Sequence, residues 1–162
     1  MEVREILRNI LDNEKYQKCN KHPIAAVIET ADGQYISGWN GPPKRWTGIH
    51  DCLRAEYPSG EGMEHCPTVH AEIKAIGSAA EQGISIKDAT IYLSEWLSCA
   101  NCTKTIEAAG ITKIVTPDRV YWDKVNHILI PKLQNQPYNF ELAEQIIVKS
   151  GIELIVDPSI RP

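Results

Sequence analysis

One histidine and two cysteines, His70, Cys99 and Cys102, put the tightest limit on how this chain can fold. They stand as His70-Ala71-Glu72 and, further on, as Cys99-Ala100-Asn101-Cys102. Each group falls where the residue pattern predicts the start of a helix. If the three side chains share one ion, those two helix starts must face each other. Cysteines three apart in a first helical turn lie on one face, so both sulfurs can reach the same point. A metal and the positive end of a helix dipole both favour their thiolate forms. Two thiolates and a neutral imidazole suit zinc and leave one coordination position open. An open three-ligand site is a catalytic design, because structural zinc usually closes its fourth position with protein. Glu72 can stand beside the open position without coordinating the ion, which makes it the candidate acid–base group.

Taken singly these signals are weak. A CxxC is also a redox pair or half of a structural zinc site, and a lone histidine is more often structural. Together, at successive helix starts with a strand between them, they match the H-x-E … C-x-x-C arrangement of zinc-dependent nucleoside and nucleotide deaminases.

The rest of the pattern predicts the frame. Val3, Ile6, Leu7, Ile10 and Leu11 share one helical face, giving a helix over about residues 2–18. Residues 24–30 and 34–39 read as two strands joined by Ala31-Asp32-Gly33, and Asn40-Gly41-Pro42-Pro43 stops the second. Residues 40–68 form a long irregular stretch of the kind that needs functional or metal support. Helices follow over 70–82, 99–109 and 140–149, closed by Gly83, Gly110 and Gly151; strands follow over 89–94, 111–115 and 152–156. Residues 118–137 are ambiguous, since Pro131 and Pro137 break any long helix. The order α-β-β-α-β-α-β-α-β implies an α/β fold: a three-layer α/β/α sandwich around a mixed sheet of about five strands. With no repeat, low-complexity tract or linker, residues 1–162 are expected to form a single domain.

A formal net charge of −4 gives no basic excess for gripping a polymeric nucleic acid, so a small-molecule substrate is favoured. No run of ~18 apolar residues marks a membrane span, and no secretory signal is visible; the expected compartment is the cytoplasm. Five cysteines without such a signal argue against a disulfide framework and for metal ligands or buried thiols.

Four stretches resemble the deoxycytidylate (dCMP) deaminase family, within the cytidine deaminase-like fold. They are Gly38-Trp39-Asn40-Gly41; Cys52-Leu53-Arg54 with Pro58-Ser59-Gly60-Glu61; Cys66 through Glu72; and Cys99 through Gly110. The resemblance makes His70, Cys99 and Cys102 catalytic zinc ligands, Glu72 the proton shuttle, and Asn40 a hydrogen-bonding partner of the substrate sugar; Asn40-Gly41 also reads as an ordinary turn. It further implies a homo-oligomer, often a hexamer, and in some members feedback control by deoxynucleoside triphosphates. Ser98 stands where the family usually has proline. Leu97 replaces an aromatic, with Trp96 one residue earlier, still able to stack on a pyrimidine. Ala25 replaces a common glycine.

Cys19, Cys52 and Cys66 then remain. Many members carry a second, structural zinc in this region, and His50, His65 or His22 would complete a Cys3His site here; three buried thiols are the other reading. Lys44, Arg45 and Arg54 flank the loop and would suit a 5′-phosphate. Trp39, Trp46 and Trp96 lie near the motifs, and core packing explains them about as well as base stacking. The expected activity is conversion of dCMP to dUMP with release of ammonia. The alternatives are a deaminase of another nucleotide, nucleoside or modified cytosine, including 5-modified dCMP, and, in a different class, a non-catalytic zinc-binding interaction module.

Overall fold

Successive strand residues point to opposite faces of a sheet. Ala25, Ala26, Val27 and Ile28 of strand β1 (Ala25–Glu29) are all buried, so this strand must be covered twice. A computed structural model, describing residues 2–48, 52–58, 61–118, 121–123, 128–130 and 138–162, shows how. Ala25 and Val27 pack under Leu7 and Ile10 of helix α1 (Val3–Asp12). Ala26 and Ile28 face the other way, into a larger core. There they join Ala71, Ala75 and Ala79 of α2 (Ala71–Gln82), Ile106 of α3 (Ala100–Ala108), and Ala143 and Ile147 of α4 (Phe140–Ser150). Fully burying each large aliphatic side chain of such a core contributes about 1.5–3 kcal/mol.

Strand β1 is antiparallel to both β2 (Tyr35–Trp39) and β3 (Thr90–Leu93). Strands β4 (Lys113–Thr116) and β7 (Glu153–Val156) continue in parallel from β3, for a five-stranded order β2-β1-β3-β4-β7. Helices on both faces make the expected three-layer sandwich. Strands β5 (Tyr121–Asp123) and β6 (Ile128–Ile130) form a separate antiparallel pair inside the stretch that the sequence left ambiguous. Three residues each are too few to show a period. Helix α1 is shorter than residues 2–18. Its apolar face ends at Leu11, Asn13 turns extended and accepts the Lys15 amide at 3.0 Å, and Tyr16 leaves to meet Trp39 edge-on at 4.6 Å. Among the described residues no helix is long and apolar enough to cross a membrane.

Five segment ends meet at one end of the sheet. Ala26 lies opposite Leu93, so the start of β1 adjoins the carboxyl end of β3. Ala25 lies opposite Trp39, which brings the end of β2 to the same place. Helices α2 and α3 begin there too. The carboxyl end of a strand in an open α/β sheet is where ligand crevices form.

Candidate metal centre and its cavity

Helix starts supply the cluster. His70 is the N-cap of α2, in extended backbone, and its ring makes no capping bond. Cys99 is the N-cap of α3, its sulfur accepting the Cys102 amide at 3.5 Å. The His70 ring is thus free to reach α3. Its Nδ1 lies 3.2 Å from Cys102 Sγ and 3.6 Å from Cys99 Sγ. Among the described residues this is the one group of three or more metal-type side chains whose ligand atoms all fall within 4.8 Å of one another. Zinc bonds of about 2.3 Å to sulfur and 2.0–2.1 Å to nitrogen, at a tetrahedral angle, separate N and S by roughly 3.5 Å. The donor set and its spacing therefore fit zinc.

The side chains share protons in a way that prepares the site. The hydrogen bond with Cys99 raises His70 to about 9. Cys99 is held low, first by the Cys102 thiol that donates to it and then by His70. Cys102 is driven up by that same bond, by burial and by the charge of Glu72. Burial pushes the Glu72 carboxyl up, against the nearby His70 charge. A carboxyl raised by burial beside a metal-type cluster is suited to hold and pass a proton.

The strand end beside α2 fixes where these groups sit. A Cβ on Gly38 would lie 2.2 Å from the Ala71 carbonyl oxygen and 2.4 Å from the Ala75 amide nitrogen, so only glycine lets β2 press on the first turn of α2. Gly41 exchanges backbone bonds of 3.2 and 2.8 Å with Val69, the residue before His70.

His70, Glu72 and Cys99 line a cavity of about 550 Å³. Of the residues predicted from sequence, Asn40, Arg54, Trp96, His22, Cys19, Cys52 and Cys66 also line it. Trp96 meets the His22 ring edge-on at 5.6 Å. Arg54 is only 7% exposed; among the described residues its guanidinium donates to the Met63 thioether and pairs with no carboxylate. Asn40 is buried, and its amide is engaged by the backbone of residues 22 and 24.

Lys44 and Arg45 do not line the cavity. Lys44, its side chain 75% exposed, pairs instead with Glu81 of α2. His65 turns outward to Glu64 at 3.6 Å. Trp39 and Trp46 do not line the cavity either; Trp39 packs under α1 with Tyr16, and Trp46 is exposed. His50 lies outside the described residues. The three remaining thiols, Cys19, Cys52 and Cys66, are free and half-buried, and no second gathered metal group exists among the described residues.

Sequence reasoning missed Lys21, Tyr138 and Phe140, which line the cavity. Tyr138 and Phe140 stack at 5.9 Å, and Tyr138 donates to Met63 Sδ at 3.9 Å. Only the return of α4 to the sheet brings them here; a pair of aromatics beside a helix N-cap is the one local hint.

A three-layer α/β/α frame with an open His-Cys-Cys cluster and a buried carboxyl beside it defines a zinc-dependent hydrolase of the deaminase kind. Residues 2–117 match the family model described as "Cytidine and deoxycytidylate deaminase zinc-binding region", and the chain belongs to that family. A search of the curated proteins finds no match. Among solved structures, the dCMP deaminase of the cyanophage S-TIM5 is similar in two forms. The apo form has a TM-score of 0.60 at 17% identity, over 96% of this chain and 99% of that one. The complex with dCMP and dUMP has a TM-score of 0.64 at 16% identity, over 93% and 90%. A diaminohydroxyphosphoribosylaminopyrimidine deaminase/5-amino-6-(5-phosphoribosylamino)uracil reductase from Thermotoga maritima reaches 0.53 at 18% identity; 98% of this chain matches 34% of that one. At these identities the likeness is one of fold.

Proposed function

We propose that this protein deaminates dCMP to dUMP and ammonia. The observation that carries the proposal is the buried Glu72 beside the gathered His70, Cys99 and Cys102, in a cavity that also contains a buried arginine. His70, Cys99 and Cys102 would hold the zinc. When bound, zinc supplies a Lewis acid that lowers the pKa of water toward about 7. Glu72 would take one proton from the attacking water and pass it to N3 of the pyrimidine, then take the second from the hydroxyl added at C4 and pass it to the departing amine. Water adds its oxygen at C4, the C4–N bond breaks, and ammonia leaves. Burial that raises Glu72 favours a carboxyl able to hold the proton between these transfers.

Arg54 supports a monophosphate. A buried guanidinium on the cavity wall is suited to pair with a phosphate group. Trp96 on the cavity wall supports a planar base. The phage enzyme of similar fold holding dCMP and dUMP points the same way. A second zinc on Cys19, Cys52 and Cys66 has the support that all three thiols line this one cavity. Strands β1 to β4 and β7 share one sheet, from both ends of the chain, and α1 to α4 cover its two faces, which supports a single domain over 1–162. The family resemblance supports a cytoplasmic homo-oligomer, whose size sedimentation would read.

The test is ammonia release from a panel of cytosine and adenine nucleosides and monophosphates. dCMP is the expected preferred substrate. Preference for an adenine compound, or for a free nucleoside, would overturn the reading.

A further inference from the structure

Two buried hydroxyls flank Cys99, and the proposed reaction uses neither. Ser98 is 3% exposed and Thr103 is 0% exposed. Burying a hydroxyl is costly unless it is hydrogen-bonded, so each must be placed for its partners. They meet each other, with Ser98 Oγ 2.9 Å from Thr103 Oγ1. Thr103 Oγ1 also lies 2.9 Å from the Cys99 carbonyl oxygen and 3.4 Å from that of Ser98. A hydroxyl has one proton to donate. The shorter contact assigns the Thr103 proton to Cys99, so the Ser98 hydroxyl donates to Thr103. The bonds run in one direction, from Ser98 through Thr103 to the Cys99 carbonyl.

This chain of bonds ends on a metal-type ligand. Cys99 is the N-cap of α3, in extended backbone, and its sulfur accepts the Cys102 amide at 3.5 Å. An N-cap carbonyl already accepts the first helical bond. Here that bond comes from the Thr103 amide at 2.9 Å, and the Thr103 hydroxyl adds a second. A helical threonine has two rotamers open to it, and the bond from Ser98 selects the one that reaches Cys99. Ser98 stands where proline would fix the backbone with its ring and offer no hydroxyl. In this chain a pair of hydroxyls does the fixing.

We propose that Ser98 and Thr103 are positioning residues for the metal: their hydroxyl pair fixes the backbone of Cys99 and thereby the place of its sulfur. The proposal rests on His70, Cys99 and Cys102 as zinc ligands and is independent of the substrate. Groups that orient a metal ligand typically change metal affinity by about tenfold to a hundredfold. The competing role is plain support of α3. Thr105 supplies the comparison, because its hydroxyl donates to the Asn101 carbonyl at 2.9 Å across the same four-residue step, on the exposed side of α3.

The test reads zinc affinity by competition with a chromophoric chelator, with thermal melts beside it. Thr103→Val keeps the shape and removes the hydroxyl, and zinc affinity should fall by about tenfold to a hundredfold. Thr103→Ser restores the hydroxyl and should bind within a few-fold of wild type. Ser98→Ala should weaken zinc, and adding it to Thr103→Val should cost nothing further, since Ser98 acts through Thr103. Thr105→Val should leave zinc affinity unchanged. Cobalt in place of zinc gives a spectroscopic arm: its visible bands should shift in Thr103→Val and not in Thr105→Val. Wild-type affinity and cobalt bands in Thr103→Val, at any melting temperature, would overturn the proposal, as would equal losses in Thr103→Val and Thr105→Val. If Thr103→Val does not fold, Ser98→Ala decides, and wild-type affinity there overturns the proposal. Cys99→Ala separates the two readings: unchanged zinc affinity in that variant would remove the zinc assignment itself, and the proposal with it.

Discussion

Replacing Gly38 by alanine tests how finely α2 is placed. The added Cβ would sit 2.2 Å from the Ala71 carbonyl oxygen, and Cβ atoms essentially never approach closer than 3.0 Å, so α2 and β2 must part by about 0.8 Å. Both partners are backbone, so no rotamer change relieves the contact. The turn that moves carries His70 and Glu72, while Cys99 and Cys102 stay on α3. Misplacing reacting groups by an ångström can cost on the order of 10²-fold in rate. Gly38→Ala is therefore expected to lose roughly tenfold to a hundredfold in kcat, with the protein still folded at the assay temperature. Gly77→Ala is the control. Gly77 lies on the same helix with nothing within 4 Å of an added Cβ, and alanine there should raise stability by about 0.5–1 kcal/mol without changing kcat. Steady-state ammonia release, zinc content and thermal melts on both variants give the readout. A Gly38→Ala protein within twofold of wild-type kcat would refute the reasoning.

Three further outcomes follow from the site. Glu72→Gln should keep fold and zinc but lose about 10²–10⁴-fold in kcat, as expected for a general acid–base group; a loss of only a few-fold would move the proton role elsewhere. Zinc uptake by chelator-stripped protein near neutral pH should release about two protons per ion, because metal ligands must bind deprotonated. One comes from His70, protonated below about 9, and one from the Cys102 thiol, while Cys99 is already a thiolate. The sign is that affinity climbs as pH rises toward 9, and calorimetry in buffers of different ionisation enthalpy reads the count; release of no protons would contradict the assigned sharing. Elemental analysis of protein purified without chelator should find two zinc ions per chain if Cys19, Cys52 and Cys66 hold the second, falling to one in Cys52→Ala. One ion in wild type would leave them as plain thiols.

The zinc-type cluster was legible because each ligand is tied to a helix start, and helix starts announce themselves through apolar period and cap residues. His70 and Cys99 both prove to be N-caps. The layers were legible because helices alternate with strands after the opening hairpin, and the burial of β1 on both faces agrees with that order. The basic residues were not. Lys44, Arg45 and Arg54 are equivalent in type, and only the path of the loop turns Arg54 inward and lays Lys44 against Glu81. Asn40 showed the same limit: its type suits a turn or a sugar contact, and its side-chain bonds depend on partners 16 and 18 residues away. Tyr138 and Phe140 reach the cavity by a return of the chain that no local pattern records, and three-residue strands such as β5 and β6 are too short to read.

The central claim is that the cavity recognises a nucleotide through Arg54 and deaminates its base. The most direct measurement is kcat/KM for dCMP and for deoxycytidine on one zinc-loaded preparation, in wild type and in Arg54→Ala. A charge-assisted contact contributes roughly 1.5–3 kcal/mol, so dCMP should be preferred by about tenfold to a hundredfold. In Arg54→Ala that preference should collapse toward unity, with the weak deoxycytidine reaction little changed. Equal kcat/KM for the two substrates in wild type, or a preference that survives the loss of Arg54, would contradict the account.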